Sequence, residues 1–329
     1  MKLFRFISNN ILFKFDPEFI QDVTQVILSN KFAPYLTSLY STSNVHISKT
    51  YIMGEELNSP LALAAGFDKN CSILKALDKL GFGYIVGGTV TLNSRTGNLK
   101  PRITRYVDDN SMVNSLGFPN LGVDKIIDNL SKYDLKTPLI MSISGDSISE
   151  ITQLYKLLSD YCFGFEINIS SPNTEKLKYF HDYYNFENLI KSLNGIKNKP
   201  YMIKLPRLEI SDLDQKTKLL YEKYFQILLD YKVDGLVLSN TFPVEDSILK
   251  TGKGGLSGKP LYHNTKNLVS FASQFFNGEL DIVASGGIST SDEVKELIYE
   301  GAKGIQLWTS LIYEGPNLIK RLNKELSCE

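Results

Sequence analysis

The stretch Asn168-Ile169-Ser170-Ser171-Pro172-Asn173-Thr174 gathers two amides and three hydroxyls within a few residues. Each Asn offers a donor and an acceptor, and each hydroxyl does both. Pro172 fixes one backbone torsion and removes one N–H. The apolar run Phe163-Gly164-Phe165-Glu166-Ile167 before it reads as a strand. Polar groups therefore cluster where a strand leaves its sheet. They suit hydrogen bonding to a flat polar ligand, with a hydroxyl that can move a proton. The same composition also makes an Asn/Ser/Pro turn held by its own side chains, so the rest of the chain must decide.

Two lysines extend the chemistry. Lys204 is the only charge in the apolar run Tyr201–Leu205, and a buried Lys needs an anionic or polar partner. One candidate is a flavin ring, whose reduced form carries negative charge. Lys69 ends an earlier apolar run beside Asp68. Either side chain can instead snorkel to solvent. Gly286-Gly287 lets backbone amides approach an anion closely. Ser289, Thr290 and Ser291 can cap the helix that follows, and Thr309 and Ser310 are expected opposite. These residues predict a phosphate seat; the alternative is a glycine-rich turn with an ordinary helix cap. Cys71, Cys162 and Cys328 form no CxxC pair, and His46, His181 and His263 lie far apart. This argues against a metal or iron–sulfur site and fits a reducing compartment.

The elements that must position these groups alternate regularly. Strands are expected at Leu61–Ala65, Tyr84–Gly88, Leu139–Ile143, Phe163–Ile169, Tyr201–Leu205, Gly235–Leu238, Ile282–Ser285 and Gly304–Leu307. Helices are expected near 70–80, 120–132, 147–160, 185–197, 213–231, 262–276, 290–300 and 317–326. Apolar strands alternating with helices imply a parallel sheet, and eight units imply a (β/α)8 TIM barrel. No G-x-G-x-x-G follows the first strand, which weakens the open-sheet alternative. Lys69, the Asn168–Thr174 stretch, Lys204, Gly286-Gly287 and Thr309-Ser310 all fall at or just beyond the C-terminal end of a strand, where such barrels do their chemistry. Segments 92–118, 172–184 and 242–260 are long insertions, read as lids or binding loops.

Residues 1–43 differ from the barrel at 44–329. Phe4, Ile7, Ile11 and Phe15 recur at helical spacing, as do Phe19, Val23, Val26 and Ile27. Asp16-Pro17 reads as an N-cap followed by Pro at the first helical position. Two amphipathic helices follow, whose apolar face either packs on the barrel or meets lipid or a lipid-soluble ligand. The 36 basic residues balance the 36 acidic ones among 329, so no basic excess argues for nucleic acid. No apolar run is long enough to span a membrane, and the N-terminus lacks a secretory pattern.

Eight segments in order resemble the dihydroorotate dehydrogenase family, FMN-dependent enzymes of pyrimidine synthesis. They are AAGFDKN (64–70), GGTVT (87–91), GNLKPRITR (97–105), NSLGFPNLGVD (114–124), NISSPNT (168–174), SNT (239–241), TGKGGLSGKPL (251–261) and SGGIST (285–290). The resemblance implies oxidation of dihydroorotate to orotate, with hydride passing to FMN N5 and the C5 proton to Ser171. A serine base and the N-terminal extension resemble the quinone-using, membrane-associated class. Quinone as acceptor and peripheral contact with the cytoplasmic side of the cell membrane through residues 1–43 are thereby implied. A soluble cytoplasmic protein is the alternative. By the same resemblance FMN lies against Ala65, Gly66, Thr89, Ser142, Asn168, Lys204, Ser239, Gly258, Gly287, Trp308 and Thr309. Dihydroorotate is expected among Lys69, Asn114, Ser115, Leu116, Gly117, Phe118, Asn168, Asn173, Asn240 and Thr241. With no His placed by sequence to assist Ser171, proton relay through water is expected, shaped by Thr174 and Phe118.

Two features depart from the quinone class. Ser142 stands where Asn is usual, in a run Met141–Ser147 closer to the soluble class, and Trp308 replaces Tyr. They leave open a different acceptor, or a partner subunit that carries the electrons onward. Another FMN barrel acting on dihydropyrimidines, and a non-redox barrel binding a phosphorylated ligand, are further alternatives.

Overall fold

Strand alternation settles which residues line the inside. The computed structural model describes Phe4, Ser8 and residues 11–41, 49–207 and 214–327. Its eight central strands are β1 (Leu61–Leu63), β2 (Tyr84–Val90), β3 (Leu139–Ile143), β4 (Gly164–Asn168), β5 (Tyr201–Lys204), β6 (Gly235–Leu238), β7 (Asp281–Ser285) and β8 (Gly304–Leu307). They pair in parallel in chain order and close, β8 onto β1, with Ile305 opposite Leu61. The expected barrel is therefore present, with strand ends shifted by a residue or two.

Successive side chains of a strand point to opposite faces. Tyr201 and Ile203 of β5, like Phe165 and Ile167 of β4, join the outer core beneath the helices. Met202 joins an inner core with Ala62, Tyr84, Val86, Ile140, Val237 and Val283. One step further along the strands the interior turns polar, with Ser142, Glu166, Lys204 and Gln306 all buried. A hairpin, Thr50–Ile52 with Glu55–Leu57, precedes β1 and plugs the N-terminal end of the barrel with Ile52 and Leu57. Sequence reasoning missed it. The expected boundary at residue 43 lies among residues 42–48, outside those described.

The outer helices start where polar caps predict. Ser147, Asp182, Asp214 and Thr290 each accept a hydrogen bond from the third helical amide, of Glu150, Asn185, Thr217 and Glu293. Such caps contribute about 1 kcal/mol each. Of the three residues expected to cap the helix Ser291–Tyr299, Thr290 alone does so, in a reciprocal box with Glu293. The helix expected near 70–80 shrinks to Leu74–Leu77.

Two of the insertions are not free loops. Strands Ile103–Tyr106 and Ser111–Asn114 from the first pair with Phe242–Glu245 and Lys253–Gly258 from another, in one four-stranded antiparallel sheet. Pairing between insertions so distant in sequence leaves no local signature. Residues 175–181 of the third form a 3-10 turn with Leu177 and Phe180 buried.

The N-terminal helix Pro17–Ser29 begins as expected, with Asp16 accepting from Phe19 N at 2.9 Å. Its docking face combines polar anchors with Leu28, which packs on the barrel core. Glu18 is buried against Arg102 (Nε to Oε1, 2.9 Å), and Gln25 Nε2 donates to Phe67 O at 3.0 Å. Phe19, Val26 and Ile27 are 55%, 71% and 53% exposed, and Phe32, Leu36 and Leu39 of the next turn continue the apolar surface. Packing onto the barrel thus uses the helix face opposite to the one its apolar spacing marks. The first expected helix falls largely on residues outside those described, including Ile7; within it, Leu12–Lys14 is a 3-10 turn.

Candidate active site

A cavity of about 480 Å³ opens at the C-terminal rim of the barrel, roofed by the four-stranded sheet. Its wall includes Ala65, Gly66, Lys69, Thr89, Asn114, Leu116, Gly117, Phe118, Asn168, Ser171 and Asn173. Lys204, Ser239, Asn240, Thr241, Gly258, Gly287, Trp308 and Thr309 complete the expected set. Two expected residues stand behind the wall. Ser142 Oγ lies 2.9 Å from Thr89 Oγ1, one layer below the cavity. Ser115 is buried, its amide bonded to Arg102 O at 2.8 Å.

The amides at one end are held by one another. Asn173 Nδ2 donates to Asn114 O at 2.9 Å and to Asn114 Oδ1 at 3.1 Å. Asn240 Nδ2 donates to Asn168 Oδ1 (3.2 Å) and Ser170 Oγ (2.9 Å), and Asn168 Nδ2 to Thr89 Oγ1 (3.1 Å). Such mutual bonds fix side-chain orientation before any ligand arrives. Ser171 faces the same end, its Oγ accepting weakly from Asn173 N at 3.4 Å. Among the described residues no imidazole or carboxylate hydrogen-bonds Ser171. His181 on the same loop is engaged by Ile169 O at 3.0 Å. Thr174 Oγ1 is buried without a partner and outside the wall, whereas Phe118 is part of it.

The floor carries the charge. Lys204 Nζ donates to Gln306 Oε1 at 3.3 Å and lies 3.6 Å from Glu166 Oε1. Gln306 Nε2 donates to Glu166 Oε2 at 2.7 Å, and Ser142 Oγ to Glu166 Oε1 at 3.4 Å. Sequence reasoning missed Glu166 and Gln306 as site residues. The available signal was register: Glu166 precedes Asn168 by two and so shares its inward face. Lys69 makes no side-chain hydrogen bond among the described residues. Burial, with the charge of Arg102 adding to it, lowers its ammonium to about 8. Asp68 is not its partner, since it accepts from the amides of Ser72 and Ile73, both at 2.9 Å.

The far end is built to receive hydrogen-bond acceptors. Gly286 and Gly287 have φ of +124° and +85°, and a Cβ on Gly287 would sit 2.3 Å from Tyr262 N. Among the described residues, no acceptor meets the amides of Gly286, Gly287, Thr309 and Ser310. Ser239 Oγ and Ser310 Oγ, both at the cavity, are buried without partners. The amides of Ser289 and Thr290 differ, since the Glu293 carboxylate takes both, at 2.7 and 2.9 Å. The start of that helix therefore has no free amide at Ser289 or Thr290 to offer a ligand.

A closed parallel barrel with a preorganised polar cavity at its C-terminal rim defines a (β/α)8 enzyme. The family model described as dihydroorotate dehydrogenase matches residues 47–329, and the chain belongs to that family. It is 32% identical to the dihydroorotate dehydrogenase (quinone) of Christiangramia forsetii, over 96% of both chains. It is 33% identical to the enzyme of the same name from Sulfurimonas denitrificans, over 96% of this chain and 92% of that one. Among solved structures it resembles DHODH of Eimeria tenella in complex with ferulenol. That likeness has a TM-score of 0.83 and 26% identity, covering 94% of this chain and 90% of the other.

Proposed function

We propose that this chain oxidises dihydroorotate to orotate in pyrimidine biosynthesis, with FMN in the cavity and a quinone as final acceptor. One observation carries the reading. A cluster of mutually oriented amides with a serine occupies one end of the cavity, and unpaired backbone amides with two orphaned hydroxyls occupy the other. Full-length relatives named as quinone enzymes support the acceptor.

The residues present fit FMN. The Gly286–Gly287 turn, with the Thr309 and Ser310 amides, suits its phosphate. Ser239 Oγ and Ser310 Oγ are orphaned polar atoms that a ligand would satisfy. Ala65, Gly66, Thr89, Asn168, Lys204, Gly258 and Trp308 would hold the rest, with Ser142 supporting Thr89 from behind. Bound there, FMN would supply the two-electron acceptor for the oxidation.

The chain's own residues do the remainder. Asn114, Asn173, Asn240 and Thr241 grip the pyrimidine ring, and Lys69 faces the substrate carboxylate. Leu116, Gly117 and Phe118 close the side under the antiparallel sheet, with Ser115 behind them, and exclude water. Ser171 takes the C5 proton. A hydroxyl is a weak base, so the proton leaves through water rather than resting on Ser171. Lys204, held by Glu166 and Gln306, places positive charge beneath the cavity where negative charge develops.

The exposed apolar surface of Phe19, Val26, Ile27, Phe32, Leu36 and Leu39 is the proposed contact with the membrane surface. No helix among the described residues is long and apolar enough to cross a membrane. On the cavity side, Ile103, Met112 and Tyr313 form an apolar cluster with Phe13 and Trp308. That cluster joins the N-terminal segment to the site and suits the approach of an apolar acceptor.

The test is the absorption spectrum of the purified protein, followed by assay of dihydroorotate with a quinone analogue. A yellow protein that bleaches with dihydroorotate and turns over with quinone is expected. A colourless protein that FMN does not reconstitute sinks the reading. Turnover with a soluble dye but not with quinone removes the acceptor alone.

A further inference from the structure

Three residues beyond the end of β5 lies Arg207, an arginine only 3% exposed. Its partners among the described residues are all neutral. Nε donates to Asn240 O at 3.1 Å, and Nη2 donates to Thr265 Oγ1 at 2.9 Å and to Ser285 O at 3.2 Å. Nη1 donates to Asn264 Oδ1. No carboxylate pairs with it among the described residues. Burial lowers it to about 10, so it remains a cation at neutral pH. A fold rarely retains a buried charge without an opposite one. Among the described residues, neutral hydrogen bonds take four of its five N–H groups and no opposite charge faces it.

Its position indicates where the compensation comes from. The Cβ that Gly286 lacks would lie 2.7 Å from Nη2, so the guanidinium backs directly onto that glycine. Gly286 is part of the cavity wall and Arg207 is not. Arg207 also holds the Ser285 carbonyl. In a trans peptide the C=O and the following N–H point in opposite directions, so the Gly286 N–H is aimed away from Arg207. It has no acceptor among the described residues. The same side chain ties together the strand-six loop at Asn240, the end of β7 and the first turn of the helix Tyr262–Phe276.

We propose that Arg207 makes the flavin site selective for a phosphorylated flavin: a buried cation behind Gly286 that aims the Gly286 amide and supplies the counter-charge to a phosphate monoester on the glycine turn. This rests on the FMN reading above and deepens it. Arg207 is a positioning residue, acting through the Ser285–Gly286 peptide and through its field. It acts on the phosphate and not on the ring, so its effect separates flavins that differ by the phosphate alone.

The experiment titrates the deflavinated full chain with FMN and with riboflavin, following flavin fluorescence. Wild-type protein is expected to prefer FMN. Arg207→Gln removes the charge and is expected to weaken FMN about tenfold or more, and riboflavin by less than about threefold. Asn264→Asp sets a carboxylate against the guanidinium, cancelling the charge while leaving the arginine in place. It is expected to erode the FMN preference in the same sense, and it decides the question should Arg207→Gln not fold. Parallel loss of both flavins in either variant, or an unaltered preference in Asn264→Asp, overturns the inference and leaves the FMN reading standing. Wild-type protein that binds neither flavin removes that reading, and the inference with it.

Discussion

Lys204 Nζ stands 3.6 Å from Glu166 Oε1 inside the barrel, and Gln306 bridges the two with one bond to each. Lys204 is 5% exposed and Glu166 not at all. Removing one partner of such a pair leaves the other charge buried and alone, at a cost of about 3–5 kcal/mol. Glu166→Gln is therefore expected to lower unfolding stability by about that amount in urea. The double variant Glu166→Gln, Lys204→Met is expected to lose less than the sum of the single variants. Additive losses would show that the two side chains act independently. Glu166→Gln also leaves Lys204 uncompensated beneath the cavity, so the bound flavin is expected to have a more positive reduction potential.

Ser171 is the only hydroxyl of the strand-four loop in the cavity wall. General-base catalysis contributes roughly 100- to 10,000-fold. Ser171→Ala is expected to slow flavin reduction by dihydroorotate by that factor, about 3–5 kcal/mol of barrier, while retaining flavin. Stopped-flow absorbance under single turnover measures it, and a wild-type rate would take Ser171 out of the mechanism.

Lys69 sets a pH dependence. Burial, with Arg102 beside it, depresses its ammonium to about 8, so the cation is present below that pH and is lost above it. The substrate carboxylate needs the cation, and once bound it pulls the proton back. Hence kcat/KM for dihydroorotate is expected to fall above about pH 8 while kcat stays level. Lys69→Met is expected to raise KM and abolish that break; a break that survives the substitution belongs to another group.

The barrel was legible because its signals are local: short apolar runs, polar caps at Ser147, Asp182, Asp214 and Thr290, and polar strand ends. Those ends supplied Ala65, Gly66, Lys69, Thr89, Asn168, Ser171, Lys204, Asn240, Gly287 and Thr309 of the cavity wall, whereas Asn114, Leu116, Gly117, Phe118 and Gly258 came from the family resemblance. Glu166 and Gln306 escaped because reading β4 and β8 as evenly apolar ignores which face each residue takes. The antiparallel sheet escaped because Ser111–Asn114 pairs with Lys253–Gly258, some 140 residues away. Arg207 carries no motif, and only its packing against Gly286 singles it out. The N-terminal helix was placed correctly, but the polar anchors Glu18 and Gln25 of its docking face could not be foreseen. Apolar spacing identifies a face that avoids water without saying whether protein or lipid covers it.

The N-terminal surface gives the remaining prediction. The helix Pro17–Ser29 is anchored through Glu18 to Arg102, through Gln25 to Phe67 O and Ser72 Oγ, and through Leu28 against the barrel core, none of them through Phe19, Val26 or Ile27. Substitutions on the apolar face should therefore leave docking and the cavity intact. Val26→Asp with Phe32→Ser removes two apolar side chains that are 71% and 60% exposed. Burying each in a lipid interface is worth about 1.5–3 kcal/mol, so the pair should weaken partition onto phospholipid vesicles about a hundredfold or more. Dihydroorotate oxidation with a soluble dye is expected to stay at the wild-type rate, while the KM for a long-chain quinone rises. Because dye and quinone draw on the same reduced enzyme, a loss confined to quinone locates the defect at the acceptor's entry. Equal losses with both acceptors would mean that the substitutions reached the barrel. Unchanged vesicle binding and quinone KM would remove the apolar collar from both roles.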